Sequence, residues 1–141
     1  MASFLLATPA ISARPAQATP ENDLLSKIND ARGQHGLRPY RSSPALRRSA
    51  ARQGRWMLRG QSFSHAGRIR ASGHFRGLGE ALSWHQGRAP RSGWTVRRWL
   101  ASGGHRPLVL NSGYRWAGMA KVTGRLHGQI STIWVLQLGS R

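Results

Sequence analysis

Hydrophobic positions in the first part of the chain recur at the spacing of a helix. Four residues separated by four, three and four positions share one helical face: Leu24, Ile28, Ala31 and His35. Thr19-Pro20-Glu21 is a typical helix start, with an N-cap threonine, a proline at the first position and an acid in the first turn. Gly36 stands where a left-handed residue commonly ends a helix. The pattern therefore predicts a first helix closed by His35 and Gly36.

The middle of the chain predicts two more helices and a long irregular region. A second helix starts at Ser43-Pro44 and continues to about residue 60. A third helix fits residues 92–101, with Trp99 directed inward. Between them, residues 61–93 are rich in Gly and Ser and show no sustained period, so we expect loops with short turns there.

The last part of the chain alternates between apolar and polar residues, which is typical of strands. Residues 116–123 and 129–138 are predicted to be antiparallel strands joined by a turn at 124–128, with Trp134 in the core. Helices come first and strands last, which predicts an α+β sandwich with the sheet packed against helices. The length fits one domain, residues 19–141, without internal repeats.

The charged residues are very unevenly divided. The 141 residues include 22 Lys and Arg against 4 Asp and Glu, a net charge of +18. Glu21, Asp23 and Asp30 lie close together, and Glu80 is the only carboxylate side chain after them. This excludes a paired-carboxylate glycosidase, an acidic calcium cage and an acidic two-metal phosphotransferase. The absence of Cys excludes disulfides, Cys-ligated zinc and thiol catalysis.

Arginine supplies twenty of the positive charges, and four of these arginines are spaced for one face of the second helix: Arg48, Arg52, Arg55 and Arg59. The opposite face carries residues suited to the core: Leu46, Ala50, Gln53 and Met57. An arginine face suits an anionic partner such as an acidic polymer, a lipid headgroup or nucleic acid. A solvated surface in an arginine-rich protein is the alternative, and the sequence leaves both open.

The N-terminal segment, residues 1–18, resembles the back half of a secretory signal. A short apolar run, residues 4–6, leads to small residues and an A-x-A ending at Ala16-Gln17-Ala18. A flexible tail is the alternative. We expect export, and no run of 18 apolar residues predicts a membrane-spanning helix.

Several short stretches in the loops and helices occur in a distinctive order. They are Asn29 with Arg32, Phe63-Ser64-His65, Gly79-Glu80-Ala81-Leu82, Trp99 with Ser102-Gly103-Gly104-His105-Arg106, and Tyr114 to Met119. Together they resemble the CAP superfamily of cysteine-rich secretory and pathogenesis-related proteins, and in particular its bacterial SCP-like extracellular branch. The resemblance covers about residues 23–139. It implies an α-β-α sandwich, an extracellular setting and a polar cleft.

The resemblance also implies the residues of that cleft. In many members two His and two Glu converge, and His65, Glu80 and His105 match three of those four positions. The second Glu has no counterpart, because residues 95–101 hold no acid, and Ala81 replaces the Asn of the family's G-E-N loop. Trp84 and Ser102 stand beside these positions in the sequence and are further candidates for the cleft.

Three roles remain open for this triplet. His65, Glu80 and His105 could hold a weakly bound zinc or similar divalent cation and support a metal-dependent hydrolase. They could line a ligand cleft without chemistry, or Glu80 could simply pair with an arginine such as Arg106. No separate carboxylate is available as a base, so a binding role is favoured over an enzyme.

The sequence therefore predicts a secreted, monomeric bacterial CAP-like domain that acts as a binding module at the cell envelope, with an anionic envelope polymer or lipid headgroup as partner. Nucleic acid is the less favoured partner, since no nucleic-acid-binding motif is present. The remaining histidines near glycines, His74, His85 and His127, are predicted to be surface residues.

Overall fold

Residues 19–141 form four helices and four strands in a computed structural model, which describes this part of the chain. The signal-like segment predicted for residues 1–18 lies outside the described residues. The elements in chain order are α1 Pro20–Gln34, β1 Arg41–Ser42, α2 Pro44–Gly60, β2 Gly77–Gln86, α3 Ser92–Ala101, α4 Arg106–Val109, β3 Trp116–Leu126 and β4 Gln129–Ser140.

Side-chain caps start the two long helices where the sequence predicts them. Thr19 Oγ1 accepts a hydrogen bond from the Asn22 N–H at 3.2 Å, and Ser43 Oγ accepts from the Leu46 N–H at 3.3 Å. Each caps an otherwise unpaired backbone donor of the first turn. The predicted end of α1 is also confirmed, because His35 is its C-cap and Gly36 follows with a φ of 69°.

The strands form one mixed sheet with the order β1-β3-β4-β2. β3 and β2 both pair antiparallel with β4, while the short β1 pairs parallel with the start of β3. The prediction of loops throughout residues 61–93 was wrong for β2. This strand lies at the sheet edge, and its buried and exposed residues do not alternate, so it lacks the period-two signal.

Helices cover both faces of the sheet, which confirms the α-β-α sandwich. On one face, α2 packs on a core formed by Ala50, Met57, Leu82, Ala120, Leu126, Ile133 and Val135. On the other face, α1 and α3 pack with the sheet around residues that include Leu24, Ile28, Val96, Trp99, Trp134 and Leu136. Trp99 and Trp134 are therefore core residues, as predicted, and each indole N–H donates to a backbone carbonyl.

A glycine allows α2 to lie directly on β3. A Cβ atom added at Gly118 would collide with the backbone nitrogen of Arg47 and the backbone carbon of Leu46, at the start of α2. Gly54 of α2 lies similarly close to β3, since a Cβ atom added at Gly54 would lie 2.7 Å from a methyl carbon of Val122. These contacts fix the height of α2 above the sheet and thus the position of its exposed face.

Arg32 of α1 is a buried cation without an acidic partner. It is 1% exposed, and its guanidinium donates at 2.8 Å to the backbone oxygens of Arg38, Val109 and Asn111. It also lies 3.6 Å from the centre of the Tyr40 ring, a cation–π contact. Burial lowers the pKa of Arg32 from its ordinary value and raises that of Tyr40 to about 12.

Side chains cover part of the free edge of β3. Glu21 Oε1 accepts a hydrogen bond from the Lys121 N–H at 3.2 Å, and Gln61 Nε2 donates to the carbonyl of Arg125 at 2.8 Å. Both backbone groups lie beyond the two residues of β3 that pair with β1. Within residues 19–141, no helix has the length and apolar character needed to cross a membrane.

Candidate ligand-binding cleft

The carboxylate of Glu80 holds His65 and the loop that carries it. Glu80 Oε1 accepts hydrogen bonds from His65 Nδ1 at 3.0 Å and from the Ala66 N–H at 2.9 Å. The Glu80 side chain is only 5% exposed, whereas that of His65 is 61% exposed. Because a carboxylate accepts and cannot donate, Nδ1 of His65 carries the proton and Nε2 is left for solvent or a ligand.

Gln137 completes this arrangement from β4, and sequence reasoning missed it. It lies opposite Glu80 in the β2–β4 register, is fully buried, and donates from Nε2 to Glu80 Oε2 at 2.8 Å. The donor must face the carboxylate, so the orientation of the amide is fixed, and its Oε1 has no partner within residues 19–141. The available signal was one polar residue within the apolar run of residues 133–138.

His105 lies in the turn between α3 and α4, as the N-cap of α4, and pairs with Ser102, the C-cap of α3. Its Nδ1 is 3.0 Å from Ser102 Oγ. Burial lowers the pKa of His105 below its ordinary value, and the positive charge of His65 lowers it further. One alternative predicted that Arg106 pairs with Glu80. Instead, Arg106 donates to the carbonyl of Leu100 and contacts His35.

The shifted histidine predicts a pH dependence of stability. Because the native pKa of His105 lies below its unfolded value, the unfolded chain takes up this proton first, and native stability falls as pH drops below about 6.5. We expect His105→Asn to make the loss of unfolding free energy between pH 7.5 and pH 5 smaller, as measured by urea denaturation. The exposed His74→Asn is the control and should keep the parent's pH dependence. An equally steep loss in both variants would contradict this assignment.

The exposed His65 opens into a hollow of about 570 Å³ beside α2. Three arginines of the predicted helical face, Arg52, Arg55 and Arg59, line it. Two more, Arg68 and Arg70, come from the loop after His65, and Trp56 and Gln137 complete the main features. We call this hollow the arginine groove. The fourth predicted arginine, Arg48, lies outside it and lines a depression between α1, α2 and β3.

His105 opens into a second hollow, of about 460 Å³. Ser102, Trp84 and Phe63 line it together with His105, and Trp84 is 45% exposed. We call it the Trp84 hollow. His65 thus lines the arginine groove, whereas His105, Ser102 and Trp84 line the Trp84 hollow, and the charge of His65 still acts on His105.

The predicted metal site does not fit this arrangement. Among the residues that the structure describes, no three His, Asp or Glu side chains converge as a metal site requires. Both oxygens of Glu80 already accept hydrogen bonds, and Nδ1 of His105 faces Ser102. The triplet of His65, Glu80 and His105 therefore gives no zinc site, and no metal-dependent step is derived from it.

One of the three histidines predicted to lie on the surface is buried. His85, on β2, is 5% exposed, its ring meets that of Trp94 edge-on at 5.5 Å between centroids, and its Nε2 lies 2.6 Å from the carbonyl of Ala89. The prediction was wrong because β2 was taken for a loop. His74 and His127 are exposed, as predicted.

The two helical layers, the central sheet and the polar hollows beside β2 define an SCP-like α-β-α sandwich domain. The chain belongs to the cysteine-rich secretory protein (CAP) family, whose sequence model matches residues 25–138. No match was found among the curated proteins.

Solved structures share the fold at low sequence identity. An outer surface protein of Borrelia burgdorferi is 18% identical, with a TM-score of 0.73, and 86% of this chain covers 92% of that one. An extracellular protein of Bacillus anthracis containing an SCP domain is 17% identical, with a TM-score of 0.68; here 86% of this chain covers 40% of that one. A third structure, NaASP2 with Zn²⁺, is 10% identical, with a TM-score of 0.61, and the coverage is 89% of this chain and 83% of that one. These likenesses establish the fold.

Proposed function

We propose that this domain is a non-catalytic binding module of the bacterial cell envelope, and that its arginine groove holds phosphate-bearing envelope polymers or lipid headgroups. The observation that carries the proposal is the groove itself, in which five arginines and His65 line about 570 Å³ without a lining carboxylate. An extracellular setting is supported by the family resemblance and by two proteins of similar structure, which are an outer surface protein and an extracellular protein.

The arginine side chains of the groove have no acidic side chain as a partner among residues 19–141. Within residues 19–141 the ion pairs between side chains are Asp23 with Lys27 and His65 with Glu80, and neither involves an arginine. Arg52 donates to the carbonyl of Arg70, while the guanidinium groups of Arg55, Arg59 and Arg68 make no hydrogen bond within the described residues. Unpaired guanidinium groups that line one hollow suit phosphate, which they bind through paired N–H donors.

The geometry supports binding better than hydrolysis. Glu80 is almost wholly buried and its oxygens accept three hydrogen bonds, so it positions His65 and is not free to act as a base. His65 adds an exposed ring nitrogen to the groove wall, where it is held in one orientation.

The test is the double variant Arg55→Gln with Arg59→Gln, titrated calorimetrically with inorganic polyphosphate and with phosphatidylglycerol vesicles. We expect the affinity for at least one of these phosphate ligands to fall by about tenfold, which is about 1.4 kcal/mol. The slope of log affinity against log salt should fall by about two, because two phosphate contacts are lost.

The matched control is Arg38→Gln with Arg88→Gln, which removes the same charge from exposed positions outside the groove. Its affinity should stay within about twofold of the parent. Equal weakening by both pairs would show that only the net charge matters. Failure of the parent to bind either ligand would overturn the proposed function.

A further inference from the structure

Three features of the arginine groove indicate that its ligand carries other chemical groups besides a negative charge. They are the unpaired arginines, the exposed indole of Trp56 among them, and the orphaned amide oxygen of Gln137 in the lining. Each recognises a different chemical group, and they lie in one hollow of about 570 Å³.

Trp56 presents a flat apolar surface between the arginines. It is 50% exposed, although it belongs to α2, whose neighbouring residue Met57 is fully buried. Arg52, Arg55 and Arg59 flank it along the same helix and line the same groove. An aromatic face with cations beside it suits a ring that carries a phosphate, because the ring can stack while the phosphate meets guanidinium groups.

Gln137 adds a demand for a hydrogen-bond donor. Its Nε2 is committed to Glu80, and its buried Oε1 lacks a donor within the described residues. A buried acceptor without a partner is destabilising, and because Gln137 is among the lining residues, a donor supplied from the groove would be favoured. Hydroxyl groups are donors, and phosphate diesters have none. The exposed Nε2 of the neighbouring His65 is an acceptor in the neutral ring and can take a second hydroxyl.

We infer that the arginine groove recognises a sugar-phosphate polymer, in which sugar rings with free hydroxyl groups are joined by phosphodiester links. The inference rests on the proposed function and specifies its ligand class. Sugar rings stack on Trp56, phosphates bind the arginines, and hydroxyl groups bind Gln137 and His65. Among the described residues, Trp56 is the one Phe, Tyr or Trp that lines the groove, whereas single-stranded nucleic acid is usually bound by successive aromatic platforms, one for each base.

The experiment compares three ligands of equal phosphate charge: an oligomer of hexose units joined by phosphodiester links, inorganic polyphosphate, and single-stranded oligothymidylate. Calorimetric titration of the full chain should show about tenfold tighter binding of the hexose-phosphate oligomer than of either other ligand. Trp56→Ala should remove this preference while the affinity for polyphosphate stays within about twofold.

Trp84→Ala is the matched control, because Trp84 is 45% exposed but lines the other hollow. It should keep the preference. Equal affinity for the hexose-phosphate oligomer and polyphosphate, or an unchanged preference in Trp56→Ala, overturns this inference and leaves the proposed function standing. Tighter binding of oligothymidylate overturns it in favour of nucleic acid. Failure to bind any of the three overturns the inference, and failure of phosphatidylglycerol vesicles as well overturns the proposed function.

Discussion

Replacing Arg32 with methionine is expected to lower the free energy of unfolding by at least about 3 kcal/mol. The carbonyls of Arg38 and Val109 lose their guanidinium donor, and that of Asn111 keeps only the Tyr40 hydroxyl at 3.4 Å. A buried acceptor left without a partner costs about 1–3 kcal/mol. The variant also loses the contact with Tyr40. The methionine side chain is shorter and supplies no donor.

Urea denaturation measures this loss. Arg38→Met is the control, because Arg38 is exposed and only its backbone oxygen takes part in the contact, so its stability should change by less than about 0.5 kcal/mol. Arg32→Lys should lie between the two, because one ammonium cannot reproduce the fork of the guanidinium. A stable Arg32→Met variant would show that water can replace the arginine at these carbonyls.

Gly118→Ala is expected to lower the free energy of unfolding by about 3 kcal/mol, because it adds atoms where there is no room for them. The added methyl group would meet the backbone at the start of α2, at Arg47 and Leu46, and backbone atoms cannot turn aside as a side chain can. Overpacking of this kind costs about 1–3 kcal/mol or more. We expect the arginine groove to lose affinity for polyphosphate as well, because α2 carries three of its arginines.

Gly124→Ala, on the same strand, is the matched control for Gly118→Ala. Its added Cβ would meet only the end of the Leu58 side chain, at 3.1 Å, and this flexible end can move. Thermal unfolding should therefore separate the two variants clearly. Equal melting temperatures would contradict the close approach of α2 to β3.

The sequence predicted the elements whose signals are local. Helix α2 could be placed because Ser43 and Pro44 mark its start and the arginines and apolar residues alternate around it. β4 could be placed because a period-two pattern after turn residues at 124–128 indicates a strand, although most of its residues prove to be buried. β2 could not, since an edge strand with glycines at residues 77 and 79 has no regular alternation of buried and exposed positions.

The candidate site was predictable only in part. From the order of the motifs we expected His65, Glu80 and His105 to lie close together. The hydrogen bond between His65 and Glu80 agrees with this expectation. The hollow that each histidine lines depends on the three-dimensional packing of its loop, which no spacing in the sequence records. Gln137 was invisible for a similar reason, because only the register of β2 on β4 brings it to Glu80.

The contacts of Glu21 and Gln61 along β3 have a consequence for solubility. An exposed strand edge offers unpaired N–H and C=O groups on which a strand from another molecule can add, and such addition begins aggregation. Here one of the four carboxylates occupies the Lys121 N–H, and an amide occupies the Arg125 carbonyl, so the ladder that an incoming strand would need is interrupted twice. The lysine at this edge adds charge repulsion to the same protection, so strand addition here is disfavoured even where copies of the domain are crowded together.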